Sequence, residues 1–250
     1  MVQEQTTRRE RQREATYDEI VRASRQLLAG DGELSLRAVA SLMGLTAPAL
    51  YRYVASYQDL VDLVAFEVDK AATETFRTAA VTLPEDDPAG RLICAAVAFR
   101  QWALRSPREF GLVFANPIAD AGCVRRETAT LSSSGHLFTD YLYEVWAKYH
   151  YPYPTLDELP PAVRESVVDP VIPAKAERIE PAERGLMWVY MQGWTQLYGV
   201  VALEVFGHMD PRVIESGEMF IDTIRNFAPR LGLASEVPRL EALMRERLAL

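Results

Sequence analysis

Residues 34–60 read LSLRAVASLMGLTAPALYRYVASYQDL, and this stretch decides the fold of the N-terminal part of the chain. Ser35 predicts the N-cap of a short helix, because apolar residues recur behind it at helical spacing. Gly44 follows where that helix must end and the chain must turn, a position that favours a left-handed residue. Thr46 predicts the cap of a second helix, with Pro48 in its first turn, where a missing N–H costs nothing. Two helices joined by such a turn are typical of a helix-turn-helix, whose second helix enters the DNA major groove, although an ordinary helical hairpin gives the same pattern.

The residues around this turn carry further motifs. They form the pattern A-V-A-x-x-x-G-L-T-x-x-A-L-Y-R-Y-V-x-S, preceded by QLLAGDG at residues 26–32 and followed by SYQDL at residues 56–60. Over residues 14–66 this combination resembles the N-terminal domain of the tetracycline-repressor (TetR) family of transcriptional regulators. Tyr57 departs from the family pattern, since it stands where the family has a lysine that reaches a DNA phosphate. A tyrosine hydroxyl can donate to phosphate but releases no counterion, so the salt dependence of DNA binding should be shallower by one charge.

The resemblance implies a set of DNA contacts on and around the second helix. Short side chains at its start would read thymine methyl groups and DNA shape, and the tyrosines and arginines around it would contact phosphates. The expected base-contacting residues are Thr46, Ala47, Pro48 and Ala49. The expected phosphate-contacting residues are Arg37, Tyr51, Arg52, Tyr53 and Tyr57. The expected partner is double-stranded operator DNA, bound by a homodimer at near-palindromic half-sites about 34–36 Å apart or a small multiple of that distance.

The net charge of −8 is unevenly distributed along the chain. Residues 1–60 hold eight arginines and eight acidic residues, whereas the rest of the chain holds 19 basic and 27 acidic residues. This division is consistent with a nucleic-acid module on an acidic body. The first basic residues form a cluster around Glu10 alone, which could lie along a phosphate backbone, reach a minor groove, or remain a solvated tail. They are Arg8, Arg9, Arg11 and Arg13.

Composition excludes several classes of protein. Hydrophobic residues make up 49% of the chain and charged residues 25%, which is ordinary for a globular protein. No apolar run reaches the roughly 18 residues of a membrane helix, and no apolar core follows the polar N-terminus as in a secretory signal. Cys94 and Cys123 suit a reducing compartment and are interpreted as packing residues rather than a disulfide. We therefore expect a cytoplasmic protein without a membrane partner.

Helical periodicity dominates the chain, so we predict an all-α fold. A three-helix DNA-binding domain with its N-terminal arm occupies residues 1–66, beginning with a helix over 13–29. A long helix over 57–80 leads to the linker TLPEDDPAG at 82–90, so residues 67–90 connect the two domains. Residues 91–250 form a helical bundle for ligand binding and dimerisation. Its predicted helices cover residues 91–106, 107–114, 125–149, 162–168, 181–207, 211–228 and 235–250, and the proline-rich segment 152–173 is the least regular part.

The helices over residues 181–207 and 211–228 carry small residues among large apolar ones, which lets two helices approach closely. The segment WTQLYG at residues 194–199 also resembles the W-x-x-x-H-G segment of one class of TetR-family C-terminal domains, with Tyr198 in place of the histidine. The resemblance implies that both helices pair with their symmetry mates in a four-helix dimer interface, whereas an intramolecular core explains the same pattern. The expected interface residues are Gly193, Val200, Val201, Gly217, Phe220, Ile221 and Ile224.

Catalytic motifs are scarce. The three histidines are far apart, no helical pair of metal-ligand type is present, and no nucleotide-binding or nucleophile motif occurs. We therefore expect neither an enzyme nor a cofactor or metal. The C-terminal domain is instead dense in aromatic side chains, which suits an apolar cavity for a small-molecule effector, although core packing is the simpler explanation for any one of them. The expected ligand-binding residues are Arg100, Trp102, Phe114, Phe138, Tyr141, Trp188, Met191, Trp194 and Tyr198.

Together these patterns predict a ligand-responsive transcriptional regulator, most simply a repressor that its effector releases from DNA. The sequence alone leaves two alternative functions open. An all-α enzyme with an apolar pocket would turn over a hydrophobic substrate and have no affinity for DNA. A helical adaptor would bind protein through its acidic body and would be indifferent to changes at Tyr51 and Arg37.

Overall fold

The computed structural model describes residues 7–30, 32–115, 133–170 and 179–249. Over these residues the chain is all-α and contains no strand, which confirms the predicted fold class. It divides into two compact units. The first unit runs up to Val68 and also takes in the segment that begins at Arg108, and the second unit holds the rest of the described chain. The division at Val68 falls inside the long helix, close to the predicted end of the DNA-binding domain at residue 66.

The first unit is built from short helices around a small apolar core. Its helices are α1 (Arg8–Ala29), α2 (Leu36–Leu42), α3 (Ala47–Leu50), the first half of α4 (Tyr57–Ala80) and almost all of α6 (Pro107–Phe114). The core side chains of these helices are completely buried, and each such side chain stabilises the fold by about 1.5–3 kcal/mol. They include Ile20, Val39, Leu50, Leu60, Val64 and Phe110.

The second unit is a bundle around α5 (Pro88–Arg105). This helix is buried on nearly every side, as its continuous apolar sequence predicted. It packs against α7 (Ser134–Tyr149), α9 (Gly185–Val205) and α12 (Val237–Leu248). Cys94 lies buried on α5, whereas Cys123 is outside the described residues. The other helices are the second half of α4, α7 (Ser134–Tyr149), α8 (Pro161–Val168), α9 (Gly185–Val205), α10 (Pro211–Ser216), α11 (Glu218–Phe227) and α12 (Val237–Leu248). No described helix is long and apolar enough to span a bilayer.

Three of the helices differ from the sequence prediction in ways that their local chemistry explains. α1 begins at Arg8 rather than at residue 13, because Thr7 and Glu10 form a reciprocal capping box. The predicted helix 211–228 is two helices, since Gly217 adopts a left-handed φ of 68° between α10 and α11. α7 begins after Ser133, whose hydroxyl accepts a hydrogen bond from the His136 N–H, and the earlier part of the predicted helix 125–149 lies outside the described residues.

Candidate nucleic-acid interface and effector site

The turn between α2 and α3 has the geometry that the sequence predicted. Ser35 caps α2, and its hydroxyl accepts a 3.2 Å hydrogen bond from the Ala38 N–H. Gly44 follows with φ 67°, a left-handed conformation that is strained for any residue with a side chain. The Leu45 N–H then donates to the Ala40 carbonyl at 2.8 Å, which closes the turn. The first unit therefore contains a helix-turn-helix.

Thr46 occupies the N-cap of α3 with extended backbone angles, but its side chain makes no capping hydrogen bond. A capping side chain accepts a hydrogen bond from the N–H of the second or third helical residue, and neither N–H is available here. Pro48 has no N–H, and the Ala49 N–H already donates to the Thr46 backbone carbonyl at 2.9 Å. Thr46 is thus the predicted N-cap residue without a side-chain capping bond, and its exposed hydroxyl is left available to an external partner.

All nine residues predicted to contact DNA lie between α2 and the first residue of α4 and are exposed or half-buried, and together they are here called the recognition surface. Tyr51 is 51% exposed and Tyr57 40% exposed, although both are large aromatic residues. Within the described chain, the side chains of Arg37 and Arg52 make no hydrogen bond or ion pair. Leu50 anchors α3 from behind, since its side chain is completely buried. The exposed members of this surface are Arg37, Thr46, Pro48, Tyr51, Arg52 and Tyr57, and the half-buried members are Ala47, Ala49 and Tyr53.

A chain of contacts links the basic start of α1 to the residues after α3. The Arg13 guanidinium donates to the Tyr17 hydroxyl at 3.0 Å and lies over the Tyr17 ring. The Tyr17 hydroxyl donates in turn to the Tyr53 backbone carbonyl at 3.2 Å, and the two tyrosine rings meet edge to face. The ring of Tyr53 is therefore partly used in packing. The basic cluster is helical from Arg8 onward, with Arg8, Arg9, Arg11 and Arg13 all exposed.

Two residues at the start of α6 form hydrogen bonds and an ion pair with the C-terminal end of α1 within the first unit, a contact here called the latch. Glu109 receives a bidentate ion pair from Arg25, with nitrogen–oxygen distances of 2.7 and 3.3 Å. Arg108 donates to three backbone carbonyls in the last turn of α1 and just after it. These carbonyls belong to Leu27, Gly30 and Gly32. Sequence reasoning missed this latch, because nothing local to Arg108 or Glu109 marks partners nearly 80 residues away.

In the second unit, six aromatic side chains from four helices form an aromatic cluster. Phe76 of α4 lies 5.6 Å from Phe99 and 5.8 Å from Trp102, measured between ring centroids. Phe138 of α7 lies 6.0 Å from Phe99 and 6.0 Å from Trp194 of α9. The stacked ring of Tyr198 completes the cluster, which therefore consists of Phe76, Phe99, Trp102, Phe138, Trp194 and Tyr198.

Four of the residues predicted to bind a ligand are thus members of the aromatic cluster. They are Trp102, Phe138, Trp194 and Tyr198. Phe76 and Phe99 were missed, because α4 was interpreted only as a connecting helix and α5 is apolar on every side. The other predicted aromatic residues lie elsewhere. Tyr141 is buried under the Arg91 guanidinium, and burial raises the pKa of its hydroxyl. Phe114 contacts Phe110 in the first unit, Trp188 is half-buried on α9, and Met191 is exposed on the same helix.

Arg100 is occupied by the fold rather than held free for a ligand. Its guanidinium makes a bidentate ion pair with Glu204 at 2.6 and 3.2 Å and donates to the Ile214 carbonyl at 2.5 Å. It also lies over the Phe220 ring. Burial raises the pKa of the Glu204 carboxyl, while the adjacent guanidinium opposes that shift. Arg100 therefore connects α5 to α9, α10 and α11, which is a structural task that the sequence did not indicate.

The residues predicted for the dimer interface lie mostly inside one subunit. Val200, Val201, Phe220 and Ile221 are buried in the core of the second unit, together with Gly217. Their burial fits the intramolecular alternative, and the dimer interface stays a prediction for these residues. The other two differ: Gly193 lies against the Phe227 ring of α11, and Ile224 is half-buried.

Other faces of α9 and α11 carry exposed apolar residues. Leu203 and Phe206 are each 44% exposed, and Met219 is 43% exposed. Gly199 lies one turn before Leu203, and the space beside its Cα is open. We call these four residues the apolar stripe. The sequence could not separate the stripe from the buried residues of the same helices, since both sets are apolar.

The sequence and the fold were compared with those of known proteins. Residues 92–227 match the family model described as Tetracyclin repressor-like, C-terminal domain. Over 108 residues the chain is 32% identical to HTH-type transcriptional regulator Mb1846 of Mycobacterium bovis and to HTH-type transcriptional regulator Rv1816 of Mycobacterium tuberculosis. These alignments cover 42% of this chain and 46% of each relative, so the chain spans less than half the length of the curated relatives it matches.

A solved structure of the protein SCO4313 shares the fold, with a TM-score of 0.53 and 21% identity, and the match covers 92% of this chain and 98% of that chain. The fold and the helix-turn-helix define the class as that of TetR-like proteins. Because the family model covers more than half of its residues, the chain belongs to the tetracycline-repressor-like family. The W-x-x-x-H-G subclass stays a prediction.

Proposed function

We propose that this protein is a DNA-binding transcriptional regulator, most simply a repressor, that binds a near-palindromic operator as a homodimer and releases it when a small, largely apolar effector binds. The observation that carries the proposal is the recognition surface, which exposes two large tyrosines and two unpaired arginines around a helix-turn-helix. The name of the two mycobacterial relatives, HTH-type transcriptional regulator, supports the same function. Such a regulator would work in the cytoplasm.

The recognition surface offers different chemistry at its two parts. At the start of α3, the free Thr46 hydroxyl and the small side chains of Ala47, Pro48 and Ala49 suit contact with base edges and thymine methyl groups. Around α3, Tyr51, Tyr57, Arg37 and Arg52 suit contacts with phosphates, which position the protein without reading sequence. Only two of these four side chains carry a charge. Hydrogen bonds from the tyrosine hydroxyls would therefore supply much of the binding to the DNA phosphates.

The apolar stripe supports dimerisation through α9 and α11. The stripe exposes three large apolar side chains of one unit, and the open position at Gly199 would let a second helix approach closely. A two-fold axis through the stripe would place Leu203 and Met219 against their own copies, which is the self-complementary contact of a symmetric dimer. Such a dimer would present two recognition surfaces to two half-sites.

The aromatic cluster supports an effector site in the second unit. Its rings come from α4, α5, α7 and α9, and α4 continues from this cluster into the first unit. An effector can release the operator only if it binds more tightly to the conformation that fits DNA poorly. A ligand that displaces the rings around Phe76 would act on α4 directly, which makes α4 the transmitter in this proposal.

A gel-shift experiment tests the proposed function. The full-length protein is titrated against the intergenic DNA upstream of its own coding region and against a shuffled fragment of equal length. We expect a retarded complex with the upstream DNA at protein concentrations at least tenfold below those that shift the shuffled fragment. Equal retardation of both fragments, or of neither, would contradict the proposal.

A further inference from the structure

Two buried polar oxygens, one of a carboxylate and one of a hydroxyl, lie one helical turn apart on the same face of α4. The Asp69 Oδ2 atom accepts a 3.2 Å hydrogen bond from the Ser134 N–H at the start of α7. The other carboxylate oxygen, Oδ1, is buried and has no hydrogen-bond partner in the described part of the chain. Thr73 is 2% exposed, and its buried hydroxyl likewise has no partner among the described residues. Asp69 and Thr73 therefore each carry a buried oxygen without a described partner, one helical turn apart on α4.

Burying an ionised carboxylate costs free energy unless a positively charged group lies next to it. Asp69 forms no ion pair with a Lys, Arg or His of the described chain. Burial raises the pKa of its carboxyl to about 6, which still leaves it mostly ionised at neutral pH. Helix α7 supplies only one N–H donor, at Ser134. The remaining oxygen and the neighbouring hydroxyl are thus suited to a donor from outside the fold.

The aromatic cluster begins next to these two groups. Phe76 follows Thr73 by three residues on the same face of α4, and Phe138 follows Ser134 by four residues on α7. The rings of Phe76 and Phe138 face each other at 6.4 Å. A carboxylate at one end of a group of aromatic rings is the arrangement that recognises an organic cation, because aromatic faces attract positive charge and cover apolar surface.

We propose that the effector carries a positively charged, hydrogen-bond-donating nitrogen, which binds the Asp69 carboxylate and the Thr73 hydroxyl while the aromatic cluster covers its apolar part. The inference rests on the proposed function, in which an effector binds the second unit. The effector is thus an aromatic or lipophilic amine. Its charged contact lies on α4, the helix that continues into the first unit.

Isothermal titration calorimetry on the full chain without DNA tests the proposal with matched probes. Phenylethylamine and phenylbutylamine are compared with phenylethanol and phenylbutanol, which have nearly the same shape but no charge. We expect at least one amine to bind about tenfold or more tightly than its matched alcohol, as a charge-assisted hydrogen bond implies. Equal affinities of amines and alcohols, which a site filled only by water would give, overturn the proposal, and so does the absence of amine binding up to 10 mM.

Three variants locate the contact. Asp69→Asn keeps an acceptor for the Ser134 N–H and should abolish the amine preference, and Thr73→Val should weaken amine binding several-fold. Glu74→Gln, on the same helix with a side chain 70% exposed, is the matched control and should leave the preference unchanged. If Asp69→Asn retains the preference while its circular dichroism is that of the parent, the proposal fails. Operator binding by the unmodified protein is measured separately, so failure of the amine site and failure of the proposed function give different results.

Discussion

The guanidinium of Arg100 and the carboxylate of Glu204 form a buried bidentate ion pair, although 104 residues separate them in the sequence. The pair joins α5 to α9, and the additional hydrogen bond from Arg100 to the Ile214 carbonyl extends the connection to α10. Since both groups are removed from water, each depends on the other for its solvation. The second unit is therefore held together by a polar contact at its centre as well as by apolar packing.

Removing one partner of this pair should destabilise the protein strongly. Glu204→Gln leaves the Arg100 charge buried without its counter-charge, so we expect a loss of about 3–5 kcal/mol in the free energy of unfolding. Urea denaturation followed by circular dichroism measures this loss. The double variant Arg100→Met/Glu204→Leu, which removes both charges, should recover most of it. A Glu204→Gln variant as stable as the parent would show that the pair is not the structural contact described here.

The stability of the protein should depend on pH through Asp69. The pKa of this carboxyl is raised from 3.8 to about 6 in the folded chain, so the folded state favours the protonated form. The stability gained from this preference for the protonated carboxyl is therefore fully present below about pH 4. It is lost as the pH rises through 6, because the carboxyl then ionises in the folded state. We expect Asp69→Asn to be more stable than the parent at pH 7.5, by at most about 3 kcal/mol, and to have nearly equal stability at pH 4.

Urea unfolding of the Asp69→Asn variant and the parent at pH 4, 5.5 and 7.5 measures this difference. Glu74→Gln serves as the control and should show no such trend, because its side chain is exposed. A gap between Asp69→Asn and the parent that stays constant across the three pH values would contradict the buried state of the carboxylate.

The latch between α6 and α1 should hold the C-terminal end of α1. Arg108→Ala removes the donor to the Leu27, Gly30 and Gly32 carbonyls, which can then bind water, so we expect a modest loss of about 1 kcal/mol. Hydrogen–deuterium exchange should be faster for the last turn of α1 in this variant. Arg105→Ala, which removes an exposed arginine just before the latch, should leave this exchange unchanged. Equal exchange in the two variants would argue against the latch.

The apolar stripe predicts where a dimer can be broken. Leu203→Glu places a charge in the proposed interface and should shift the protein from dimer to monomer in size-exclusion chromatography with light scattering. Val168→Glu changes a similarly exposed apolar residue on α8 and should leave the dimer intact. A Leu203→Glu protein that remains dimeric, or a parent protein that is already monomeric, would rule out the stripe as the interface.

Local patterns in the sequence predicted the local structure well. The cap at Ser35, the left-handed Gly44 and the bounds of α4 follow from side-chain chemistry within a few residues. Contacts between distant residues left no such signal. Arg100 was interpreted as a ligand-binding residue because a single sequence does not show that Glu204 lies against it. The sequence likewise could not separate the buried from the exposed faces of α9 and α11, since both carry apolar residues.

The most direct test of the account is the affinity for operator DNA of proteins altered on the recognition surface. Fluorescence anisotropy with the labelled upstream fragment is measured over a series of salt concentrations for the parent, Tyr51→Ala, Arg52→Ala and Arg22→Ala. We expect Tyr51→Ala to bind at least tenfold more weakly than the parent. Arg52→Ala should also bind more weakly, with a salt slope reduced by about one. Arg22, an exposed arginine of α1 outside the recognition surface, is the control and should have no effect. Unchanged affinity and salt slope in both Tyr51→Ala and Arg52→Ala would contradict the assignment of this surface to DNA.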